Sequence, residues 1–99
     1  MASGWKIMHG AFYGTTGVAV DVEKVGFRPS RVKLTNVSSG DEMEWQEGMA
    51  DGSGFKRVAA GTGALVASNA ITPLANGFRL GTDGDMNVTG ELVRYECFE

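Results

Sequence analysis

The 99 residues contain one cysteine, one histidine and two prolines. A lone Cys97 excludes an intrachain disulfide. With His9 as the only imidazole, the usual four-ligand zinc set cannot be assembled within one chain. No apolar run approaches the roughly 20 residues that cross a membrane as a helix. The opening MASGWKIMHGAF lacks the charged-then-apolar order of a signal peptide, which predicts a product made in the cytoplasm with no membrane partner. Basic residues do not cluster and the net charge is −3, so the counterion-release drive toward nucleic acid is weak. Helical periodicity is also scarce. Ala59, Ala60, Ala64, Ala67 and Ala70 recur, but Gly61, Gly63 and the β-branched Val58 and Val66 oppose a helix there.

Glycine, in contrast, is abundant: 15 residues, about twice average usage, alongside an ordinary apolar fraction of 42%. Many short alternating runs separated by glycines predict a single all-β domain over 1–99. The expected form is a small antiparallel sandwich or barrel, jelly-roll-like, with seven or eight strands. The clearest signal is Gly26–Asp51. Val32 and Leu34 alternate with polar neighbours, Ser38-Ser39-Gly40-Asp41 supplies turn residues, and Met43 and Trp45 alternate with Glu42, Glu44 and Gln46. A loop at Ser38–Asp41 predicts Leu34 opposite Trp45, Asn36 opposite Met43 and Lys33 diagonal to Glu44, with the rest of the chain packed on the Trp45 face. Further strands are expected from Trp5 toward Phe12, over Val18–Glu23, in a hairpin around Gly61-Thr62-Gly63, at Phe78–Leu80 and over Glu91–Phe98. Pro73 and Asn76-Gly77 are expected to bracket a bend.

Catalytic patterns are missing. His9 has no neighbouring nucleophile, and Gly52-Ser53-Gly54 lacks the spacing and preceding strand of a nucleophile elbow. Glu42 and Glu44 have basic cross-strand neighbours, which suits a solvated face better than an acid/base pair. Asp83, Asp85 and Asn87 alternate like the start of a calcium loop. Val88 then stands where that loop needs glycine, and Arg94 where it needs a bidentate glutamate, which favours a polar turn. The expectation is a protein that is not an enzyme and carries no cofactor. Of the nine aromatic residues, Trp45 and Phe78 are expected in the core. Trp5, Phe12 and Tyr13, among N-terminal glycines, are the candidate contacts with another chain, on an arm spanning 1–16. Met49, in the adaptable Gly48-Met49-Ala50 loop, is a further candidate.

The run Gly26-Phe27-Arg28-Pro29 with Val32, Leu34 and Asn36 resembles the start of small structural proteins encoded among the virion genes of tailed bacteriophages. The resemblance continues through Glu44–Asp51, Lys56–Thr62, Gly77–Asp83 and Asn87–Glu91, about three quarters of the chain, and is weaker over the first 25 residues. It implies a compact β-domain of the virus particle and carries over no catalytic residue. Small size and an acidic surface then suggest a capsid decoration, or cement, protein on the capsid surface. Such a protein would be a homo-oligomer, expected as a trimer, bound to the major capsid protein. A tail or fibre component with a small adhesin-like surface is the alternative.

Overall fold

The computed structural model describes residues 6–99, and these form eight strands without a helix. They are β1 (Ile7–Tyr13), β2 (Val20–Val22), β3 (Arg31–Asn36), β4 (Glu42–Gln46), β5 (Ser53–Arg57), β6 (Gly63–Leu74), β7 (Gly77–Leu80) and β8 (Leu92–Phe98). All belong to one antiparallel sheet in the order β1-β8-β3-β4-β5-β6-β7-β2. The protein is all-β. Its sheet curls into a half-barrel, which is visible in the aromatic contacts. Phe12 of β1 and Phe78 of β7 lie near opposite ends of the strand order, yet their ring centroids are 6.1 Å apart. Phe78 also meets Tyr95 of β8 edge-on at 5.4 Å.

Period-2 alternation decides what goes inside the curl. Val93, Tyr95 and Cys97 of β8 are buried, as are Val32 and Leu34 of β3 and Met43 and Trp45 of β4. Ile71, Phe78, Leu80 and Met86 close the core from the other side. Trp45 is held there by its indole Nε1, which donates to the Ala50 carbonyl at 3.1 Å. The face chosen for Trp45 from the sequence is therefore the core face.

The β3–β4 partners differ from those expected. Val32 stands opposite Trp45, Leu34 opposite Met43 and Lys33 directly opposite Glu44. The cause is the buried Asn36, whose Oδ1 accepts the amides of Ser38 (2.9 Å) and Ser39 (3.1 Å). This side-chain turn starts the loop one residue early, so that Asn36 N–H bonds the Asp41 carbonyl at 2.8 Å. Sliding by two residues preserves every face assignment.

The β5–β6 hairpin turns as glycine placement predicts. Val58 N–H bonds the Thr62 carbonyl at 3.1 Å, and Gly61 N–H bonds the Val58 carbonyl at 2.8 Å. Gly61 takes φ +96°, the left-handed residue that ends a three-residue hairpin loop. The Asp41 carboxylate accepts the Ala59 amide at 2.8 Å, fastening this turn to the β3–β4 turn.

Candidate interaction surfaces

The outer face of the sheet is organised in cross-strand rows. Register places His9, Glu96, Lys33, Glu44, Phe55 and Leu65 side by side across β1-β8-β3-β4-β5-β6. Glu96, Lys33 and Glu44 alternate in charge, and His9 Nδ1 lies 3.6 Å from Glu96 Oε2. Glu44 takes its closest partner from the diagonal position, Arg31 Nε at 2.6 Å, and also accepts from Gln46 Nε2 at 2.8 Å. Partial burial opposes its ionisation. The hydrogen bonds and the charges of Arg31 and Lys33 outweigh this and hold the Glu44 carboxyl below its ordinary value. His9, Lys33, Thr35, Arg94 and Glu96 border a polar groove of about 300 Å³. His9 is an exposed strand residue.

The same row ends in carbon. Phe55 and Leu65 are cross-strand neighbours, 46% and 69% exposed. Beside them, Gly48, Met49, Ala50, Ser53, Leu65 and Ala67 line an apolar groove of about 370 Å³. Met49 is half-buried, its sulfur accepting the Gln46 amide at 3.2 Å. It is thus one wall of a patch whose other members, Phe55 and Leu65, the sequence analysis did not single out. Alternation alone cannot expose them, because the pattern says which residues share a face and not which face the sheet curls around.

A second surface is the edge of β1 that has no strand partner among the described residues. Trp5 lies outside the described residues. Residues 7–13, expected within a contact arm, pair along their whole length with β8 and are part of the sheet. Phe12 turns inward against Phe78 and Tyr95 at 6.1 and 6.4 Å and is partly buried against the core. Tyr13 is 65% exposed and Ile7 54%. Gly14 N–H bonds the Glu91 carbonyl and Glu99 N–H bonds the Lys6 carbonyl, so even-numbered positions of β1 face β8. The amides and carbonyls of Ile7, His9, Ala11 and Tyr13 consequently point away from the sheet. Val20–Lys24 run past Ala11 and Phe12 across a groove of about 230 Å³ without pairing with β1.

The calcium-like segment is built around an ammonium of the chain itself. Lys56 reaches inward from β5 and donates to Asp83 Oδ2 (3.0 Å) and Asp85 Oδ2 (2.7 Å). Asp83 Oδ1 accepts the amides of Asp85 and Met86. Asn87 donates to the Val18 and Gly81 carbonyls and accepts the Thr15 amide. These oxygens are consumed in fixing the turn. Among the described residues no group of three His, Cys, Asp or Glu side chains is placed to hold a metal.

Compared with protein-family models, curated proteins and solved structures, the chain matches none.

Proposed function

We propose that the protein is a virion structural protein of a tailed bacteriophage, one that decorates the capsid by binding across neighbouring major capsid subunits. The resemblance of Gly26–Asn36, Glu44–Asp51 and Gly77–Asp83 to small virion proteins motivates this reading. The observation that carries it is the β1 edge, a seven-residue strand with Ile7 and Tyr13 exposed and no acidic, lysine or arginine side chain. Soluble proteins usually guard such an edge with charge, proline or a bulge, so an unguarded one suits a surface that another chain covers. The free amides and carbonyls of Ile7, His9, Ala11 and Tyr13 would take an extended capsid segment, and the flanking side chains would set its register. A ligand that binds only assembled neighbours stabilises assembly by mass action, and many copies multiply the effect.

The test is copy number in purified particles relative to the major capsid protein, for the native chain and for a Tyr13→Asp, Ile7→Asp variant. Hundreds of copies in a simple ratio, with occupancy lost in the variant, would support decoration through β1. A handful of copies would move the protein to the tail or fibre, and none would overturn the reading.

A further inference from the structure

A second strand edge is open, in the middle of the sheet. β6 pairs with β5 through Gly63–Val66 on one side, but β7 joins its other side only over Ile71–Leu74. From Gly63 to Ala67 that other side has no strand partner among the described residues. The parity of the hairpin says which groups are open. The Val58–Thr62 pair is hydrogen-bonded, so Lys56–Ala64 and Gly54–Val66 are too. Gly63 and Leu65 therefore turn both amide and carbonyl outward, and the Ala67 amide, trans to the inward Val66 carbonyl, also points out; beyond Val66 the register slips, and Ser53 takes Ile71. Along the segment Gly63-Ala64-Leu65-Val66-Ala67 there is no charge and no proline. The apolar groove of Met49, Ala50, Leu65 and Ala67 flanks it, and Phe55 lies on the next strand.

We infer that this edge pairs with the same edge of a second copy. Antiparallel pairing about a two-fold axis through Leu65 sets Gly63 opposite Ala67 of the other copy and Leu65 opposite its equivalent. The Leu65 pair then exchanges two hydrogen bonds and each Ala67 amide meets the Gly63 carbonyl of the other copy, about four hydrogen bonds in all. The two Leu65 side chains meet on the outer face between the two Phe55 rings, which extends the apolar cluster across the axis. Charge agrees with this orientation. Arg57 stands opposite Gly63 at one end of the edge, 58% exposed and 3.8 Å from its nearest carboxylate, Glu42. The loop that walls the groove at the Ala67 end carries the exposed Glu47 and Asp51. Antiparallel pairing brings each basic end to the acidic end of the other copy, whereas parallel pairing would bring like to like.

Sedimentation equilibrium of the isolated chain over a concentration series tests the inference without reference to capsids. The expected result is a monomer–dimer equilibrium that Leu65→Lys weakens by about tenfold or more, since it sets two ammonium groups together on the axis. Leu65→Pro removes an amide that β5 does not use, so it should abolish the dimer while far-ultraviolet circular dichroism stays native. Should either variant lose its fold, amide exchange on the native chain decides. Leu65 and Ala67 should exchange more slowly as concentration rises, while Ile7 and His9 do not change. A chain that is monomeric throughout overturns the inference. So does a trimer, or a dimer whose Leu65 and Ala67 amides remain unprotected. A chain that is monomeric alone and engages particles through Leu65 would assign the edge to the capsid, which also overturns it.

Discussion

Lys56 determines what the Asp83–Asn87 segment is. Its side chain is 18% exposed and that of Asp83 6%, so the pair is largely removed from water. Burial disfavours the Lys56 charge, yet hydrogen bonds to Asp85 and Asp83 outweigh it and raise the pKa above the ordinary lysine value. A raised lysine stabilises the fold fully below its unfolded pKa of about 10.4, and that share is lost as pH climbs through the higher folded value. Lys56→Met leaves the buried Asp83 carboxylate without its cation and should cost about 2–3 kcal/mol in urea unfolding at neutral pH. Adding Asp83→Asn should recover part of that loss; a strictly additive double variant would show the pair to be uncoupled. In the sequence the three oxygen-bearing side chains could be seen, but the lysine that occupies the two carboxylates, 27 residues from Asp83, could not. Cys97 was more legible, because the period-2 pattern of β8 puts it on the same face as Val93 and Tyr95, all three buried. Burial pushes its thiol up to about 12, so the thiolate is scarce at neutral pH. Iodoacetamide should label the native chain at least about a hundredfold more slowly than the urea-unfolded chain, a ratio set by local opening. Comparable rates would mean the thiol is accessible.

At the scale of elements, alternation and turn residues gave away most strands, and the misses have identifiable causes. Val18–Glu23 alternates well, yet only Val20–Val22 pairs, with β7. Val18 N–H is taken by the Thr15 carbonyl at 3.1 Å and the Val18 carbonyl by Asn87 Nδ2 at 2.8 Å, which keeps that residue in the turn. The bend expected between Pro73 and Asn76-Gly77 is there, between the end of β6 at Leu74 and the start of β7 at Gly77, and Pro73 itself lies within β6. It stands beyond Ile71, where pairing with β5 has ended, so one side of the strand needs no amide. Gly77 was read as a turn glycine, but its role is closeness. A Cβ there would collide with the Val22 carbonyl across the β7–β2 boundary. Gly77→Ala should thus displace β2 and cost about 3 kcal/mol in denaturant unfolding, a loss a conformational preference alone would not produce. Gly84 faces open space, so Gly84→Ala serves as the control and should change stability by less than about 0.5 kcal/mol. Equal losses in the two variants would contradict the close-contact account.

The molecule as a whole is one sheet with two unequal ends. β1 is joined to β8 over seven residues, while β2 is joined to β7 over three. Period-2 patterning reveals strands and faces but carries no strand order. The curl, the open edges and the exposed Phe55–Leu65 cluster are long-range outcomes that the sequence did not display. The ends should also part differently in acid. Asp21 stands opposite Arg79 on the short β2–β7 ladder, its carboxylate taking the Arg79 Nε at 2.6 Å and a guanidinium nitrogen at 3.1 Å. These hydrogen bonds, with the Arg79 charge, hold the Asp21 carboxyl below its ordinary value against a small opposing effect of burial. Glu44 is lowered on the longer β3–β4 ladder. For both groups the stabilisation is complete above the unfolded carboxylate pKa of about 4. It is lost as pH falls through the lower folded values. Stability should therefore decline below about pH 4, and β2 should yield first, because it has the shortest ladder at either end of the sheet, three paired residues, and its one ion pair is exposed. Amide exchange followed downward in pH, corrected for intrinsic rates, should show Val20–Val22 losing protection while Val32, Leu34 and Val93 keep theirs. In an Arg79→Met variant the β2 amides should be weakly protected already at neutral pH, and the acid-dependent step should vanish. If that step persisted in the variant, the β2 edge would be held by its backbone ladder and the Val22 and Phe78 side chains, with the ion pair contributing nothing.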